Sequence, residues 1–185
     1  MSQAETRYRA PARLFHWGMA VLILATIPVG VVMVQEGLPR PLQNSLFIFH
    51  KNVGVLLLLL VLARLAYRLW RPPAPLPPSV TGMQRTAAHL SHLALYTLLI
   101  VMPVAGYVRV KAGGFPIETL DALGVPSLVP RSDALAELAK TVHYLGSYAI
   151  AALIALHVCA AAYHGIAKRD GIFSRMWPPF GGTVD

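Results

Sequence analysis

Charge and cysteine are what this sequence has least of. Of its 185 residues only 13% are charged and eight are acidic, about half the charged fraction of an ordinary soluble domain. Cys159 is the only cysteine. That excludes a disulfide framework, a thiolate metal cluster and a CxxCH site for covalent haem attachment. No Walker, dinucleotide-binding or zinc-protease motif is present, and no 20- to 50-residue repeat is visible. What fills the chain is apolar: 56% of it is hydrophobic, with a mean hydropathy of +0.56.

Apolar stretches of roughly 20 residues, enough to cross about 30 Å of hydrocarbon at 1.5 Å per residue, occur four times. They run over about 14–34, 47–70, 87–110 and 138–166. The connections are too short for a soluble domain. The expected fold class is therefore an all-α membrane protein, a bundle of four transmembrane helices. The first span is too long for a cleavable signal and has no small-residue cleavage site before Gln35 and Glu36. Pro28 and Pro103 fall inside spans, where they are expected to kink helices that their neighbours support. The proline-rich stretch from Arg71 to Arg85 reads as an extended spacer. The third connection, roughly Lys111 to Glu137, reads as a cap on the membrane surface with room for a short interfacial helix.

The net charge of +8 belongs to topology rather than to nucleic acid. Ten of the sixteen Lys and Arg residues, from Arg7, Arg9 and Arg13 through Arg64, Arg68, Arg71 and Arg85 to Lys168, Arg169 and Arg175, flank the termini and the second connection. By the positive-inside rule both termini are cytoplasmic.

Polar side chains at membrane depth are expensive unless something pairs with them, and the spans carry histidines. With the N-terminus inside, His16 lies near the cytoplasmic start of span one and His50 near the periplasmic start of span two. In span four His143 lies toward the periplasm. His157, fourteen residues on, is about 21 Å deeper and within about 40° of the same face. His16 can therefore meet His157, and His50 can meet His143, each pair clamping a flat macrocycle between helices. Depth alone leaves His89 and His92, at the start of span three, open as partners for His16, although they read more naturally as interfacial or structural residues. Two imidazoles with no intramembrane carboxylate are too few for a zinc or copper site but suffice for a porphyrin iron, which points to non-covalent bis-histidine haem b without an open axial position. Gly18, Gly54, Gly106 and Gly146 leave room for macrocycle edges. His164, seven residues beyond His157 and on nearly the same face, is either a solvated boundary residue or a polar anchor and proton donor for a lipophilic substrate. Cys159 reads as packing filler.

Taken together, LFHW at 14–17, FHKNVG at 49–54 with a span ending in VLARLAYRLW, AHLSHLALY at 88–96, and HYLG…ALH through YHG at 143–165 resemble the bacterial cytochrome b561 family. The resemblance covers almost the whole chain. It implies one integral membrane domain over 1–185, two b haems ligated by His16, His50, His143 and His157, and the bacterial inner membrane. In size the chain is similar to the superoxide oxidase type, which passes electrons from periplasmic superoxide to ubiquinone and places a quinone-site histidine at the His164 position. It departs most from that type in the third connection. On this reading Lys51, Arg109 and Lys111 steer superoxide or pair haem propionates, and Arg13, Trp17, Tyr163 and Lys168 surround the quinone beside a catalytic His164. Two alternatives stay open: an electron-relay subunit between quinone and a protein partner, and a histidine-lined metal transporter without haem.

Overall fold

The computed structural model describes residues 7–77 and 80–179. Four helices in it are long and apolar enough to cross a membrane: α1 (Ala10–Val32), α2 (Arg40–Trp70), α3 (Gly82–Ala112) and α5 (Asp133–Ala162). The short α4 (Glu118–Ala122) lies in the third connection. α5 continues into a π-helical turn, Tyr163–Lys168, and a 3-10 turn follows at Phe173–Arg175. No strand occurs among the described residues.

Each helix starts earlier than its apolar run, because local chemistry rather than hydropathy sets where a helix begins. Prolines occupy the first turns of α1 and α2, where the missing N–H has no partner to lose. α3 opens on a capping box in which the Gln84 N–H donates to Thr81 Oγ1 (3.3 Å) and the Thr81 N–H to Gln84 Oε1 (3.2 Å). α5 opens on Ser132, whose hydroxyl oxygen accepts from the Leu135 N–H. The capping box shortens the spacer expected over 71–85 to residues 71–81, of which Pro78 and Ser79 lie outside the described residues. Similarly α1 ends at Val32 rather than at residue 34.

The helices alternate in direction. α1 packs on α2, α2 on α3, and α3 along α5. At mid-depth Met19, Leu57 and Val61 form a small dry core bordered by Ile23, Tyr96 and Ile100. Many other apolar side chains are exposed, as expected where lipid rather than water is the solvent. One end of the bundle carries α4. The other gathers both termini: the Tyr8 N–H donates to the Arg175 carbonyl (3.0 Å), and Arg175 reaches the Ala74 carbonyl of the proline-rich spacer (2.6 Å).

Candidate functional site

At the α4 end, α2 and α5 bring His50 and His143 together with ring centroids 6.0 Å apart and planes at 73°. Two imidazole nitrogens bound to opposite sides of one metal ion at about 2.0–2.1 Å would hold their ring centroids roughly 6.4 Å apart. Edge-on packing of two bare rings gives a similar spacing, and the hydrogen bonds fix which ring nitrogen is left over. His50 Nδ1 lies 3.3 Å from the Thr26 carbonyl and His143 Nδ1 2.9 Å from the Met102 carbonyl. A carbonyl only accepts, so Nδ1 carries the proton in both rings and each Nε2 keeps its lone pair. That is how ligating histidines are oriented from their second side.

The backbone makes room for these rings. A Cβ on Gly30 would stand 2.9 Å from His50 Cε1, and one on Gly106 would stand 3.3 Å from His143 Cε1. At Gly18 and Gly54 an added Cβ would meet nothing within 4 Å, so open space borders both helices. Gly146 instead receives the Met102 thioether. A cavity of about 620 Å³ adjoins His50 and His143, walled by Phe47, Gly54, Tyr107, Arg109 and Phe115. Its size and mostly apolar lining suit a cofactor.

At the other end α1 and α5 bring His16 to His157 in nearly the same relation, 6.1 Å and 72°. The structure adds His92 of α3, whose ring centroid is 5.7 Å from that of His157 at 63°. His89 is exposed. Residues three apart share one side of a helix, about 60° apart; here His92 is half-buried and His89 lies at the exposed edge of that side. Arg64 braces this end, donating to the Tyr96 hydroxyl (3.0 Å) and the Ala12 carbonyl (3.4 Å). Among the described residues no three His, Cys, Asp or Glu side chains converge as a bare-ion site. Two imidazoles suit a metal whose other donors come with it, as a porphyrin's do.

The expected cationic mouth is largely compensated. Lys51 Nζ pairs with Glu118 Oε1 at 2.6 Å and also donates to the Pro116 carbonyl, while Lys111 pairs with Asp121. Burial works against the Glu118 charge, but hydrogen bonds from Lys51 and Asn52 outweigh it and hold the carboxyl below its ordinary value. These contacts clamp α4 onto α2 and α3. Sequence separations of 67 and 10 residues kept them out of sight. Arg109 stays in the cavity wall.

On the terminal face, His164 Nδ1 donates to Asp170 Oδ2 at 2.6 Å, with both side chains mostly buried. Burial works against the ionised Asp170, and the hydrogen bonds from His164 and the Ile172 N–H outweigh it, leaving the carboxyl below its usual value. Trp17 donates from Nε1 to the Met176 carbonyl (2.8 Å) and meets Trp177 edge-on, and Trp177 stacks on Phe173. Tyr163 is half exposed with Lys168 over its ring, whereas Arg13 is buried. Asp170, Phe173 and Trp177 were not expected at this site. Their only sequence signal is the turn-forming KRDG after the last span.

A family model described as prokaryotic cytochrome b561 matches residues 7–179. The chain belongs to this family. This cytochrome b561 is 29% identical to cytochrome b561 homolog 2 of Escherichia coli (strain K12), over 92% of its own length and 90% of the relative's. It is 28% identical to the probable superoxide oxidase CybB of Yersinia pestis, over 88% and 91%. With cytochrome b561 homolog 1 of E. coli (strain K12) the identity is 26% over 88% and 92%. Membership makes the protein a bacterial electron-transfer membrane cytochrome of a b-haem family, and it sets aside the haem-free transporter reading.

Proposed function

We propose that this cytochrome b561 is a di-haem superoxide:ubiquinone oxidoreductase of the bacterial inner membrane, with both termini cytoplasmic and the α4 end facing the periplasm. The observation that carries the reading is the presence of two like-built histidine pairs at opposite ends of one helical bundle. The similarity to a probable superoxide oxidase supports the donor and acceptor. Each b haem, when bound, would supply a one-electron iron centre. His50 and His143 would hold one through their Nε2 atoms, with Nδ1 set by the Thr26 and Met102 carbonyls, and His16 and His157 would hold the other.

The chain's own residues do the rest. Arg109 in the cavity wall gives superoxide, an anion, a local attraction, while Lys51 and Lys111 act chiefly in holding α4. The apolar core around Leu57 and Val61 keeps water out between the two ends. At the terminal face Trp17, Tyr163 and Lys168 border the quinone beside Arg13, and His164 supplies a proton. Two superoxide anions each lose one electron and leave as dioxygen. One ubiquinone gains two electrons and two protons and leaves as quinol.

Stoichiometry tests this. Purified protein supplied with superoxide and ubiquinone-1 should consume two superoxide anions per quinol formed and release no hydrogen peroxide, unlike a dismutase. Haem that quinol reduces but superoxide does not would end the donor assignment. A second reading, an electron-relay subunit for a protein partner, is favoured by one observation: Phe115, Leu123 and Leu128 are 66%, 72% and 78% exposed at the α4 end. Reduction that requires an added protein would select it.

The close approach of Gly30 to His50 makes a further expectation. Gly30→Val must push the His50 ring from its place, so bound haem should fall from two per chain towards one, read as the haem-to-protein ratio. Gly82→Ala, at the start of α3 and away from this cavity, whose Cβ meets no protein atom within 4 Å, should keep both.

A further inference from the structure

α5 ends in an unusual way. If the α-helix continued, residue 170 would lie six positions and about 600° beyond His164, roughly 120° away from its face, and could not bond to it. Instead the helix widens into the π-helical turn Tyr163–Lys168 and stops at Arg169, which adopts the left-handed conformation at φ 51°. A non-glycine residue there carries a backbone cost, and π-turns recur at functional sites. The outcome is that Asp170 returns alongside His164. Its Oδ2 accepts from His164 Nδ1 at 2.6 Å and its Oδ1 from the Ile172 N–H at 3.3 Å. From the π-helical turn through the 3-10 turn packed against it, the titratable or charged groups besides His164 are Tyr163, Lys168, Arg169, Asp170 and Arg175. Asp170 is the one carboxylate among them.

We propose that Asp170 is the positioning residue of the acceptor end: it holds the His164 ring with Nδ1–H directed at its carboxylate, so that Nε2 faces the quinone and delivers a proton to it. The proposal rests on the acceptor half of the reading above. A quinone taking up two electrons, supplied one at a time by superoxide, must also gain two protons. The first passes from His164 Nε2 to a quinone oxygen. His164, now neutral, regains a proton from water at the membrane boundary and supplies the second in the same way. Asp170 stays ionised throughout, accepting from Nδ1. It touches neither quinone nor haem.

The test uses full-length holoprotein reduced with dithionite, excess reductant removed, and reoxidised by a concentration series of ubiquinone-1. Asp170→Asn should keep the haem spectrum and the half-saturating ubiquinone-1 concentration while lowering the limiting rate of reoxidation at least tenfold. Asp170→Glu, which restores the carboxylate, should recover part of that rate. An unchanged rate in Asp170→Asn overturns the proposal. So does loss of the haem spectrum in both variants, which would make Asp170 a residue of the fold. Wild-type protein that ubiquinone-1 cannot reoxidise would overturn the acceptor reading itself, and this proposal with it.

Discussion

His50→Ala and His143→Ala should each yield a protein with one haem instead of two, and His16→Ala and His157→Ala should each lose the other. On the proposed ligation, removing one imidazole would leave a single weak tether in an otherwise apolar cleft. The remaining ring cannot make up for it, because its own Nδ1 is committed to the backbone at His50 and His143. The expected readout is a halved haem-to-protein ratio, with loss of a different component of the reduced-minus-oxidised spectrum for each pair. His92 supplies the strongest challenge, since its ring is nearer to His157 than that of His16. We assign His16 because its relation to His157 repeats that of His50 to His143 within 0.1 Å and 1°, while His92 departs in both distance and angle. His92→Ala should accordingly retain two haems. One haem in His92→Ala together with two in His16→Ala would transfer the ligand to α3.

His164→Ala should leave both haems in place and their reduction by superoxide intact, yet slow reoxidation by ubiquinone on the order of 100-fold, the low end of what a positioned acid contributes. His164 lies seven residues beyond His157, about 10.5 Å along the helix, which carries the same face from the inner histidine to the membrane boundary. There the side chain is mostly buried and bonded to Asp170, with Tyr163 edge-on to its ring. Stopped-flow mixing of reduced protein with ubiquinone-1 measures the step directly. Undiminished reoxidation in His164→Ala would move the acceptor site elsewhere, with the spacer near Arg71 or Arg85 the next place to test.

Much of this molecule is decided by short-range rules that a sequence displays openly. A run of apolar residues long enough to cross hydrocarbon specifies a helix, because no other single segment satisfies its own backbone there. Helix rise and period then place His143 and His157 at two depths on one face, and the alternation of spans brings His16 and His50 to matching depths. The third connection left room for a short helix, and α4 fills it. The helix starts were not readable from hydropathy, since caps such as Thr81 with Gln84 act through individual hydrogen bonds.

Tertiary structure decided what depends on which side chains meet across loops. It turned His92 rather than His89 toward His157, a choice set by how α3 rotates against α5. It neutralised Lys51 with Glu118, 67 residues away, so a cation that reads as a steering charge is mainly a clamp. It bound Trp17 to the Met176 carbonyl across 159 residues and folded Asp170 back onto His164 through a left-handed residue. None of these follows from local pattern, because hydropathy and periodicity place a residue on a face and at a depth. The partner it finds there depends on the packing of helices whose order along the chain does not dictate their rotation.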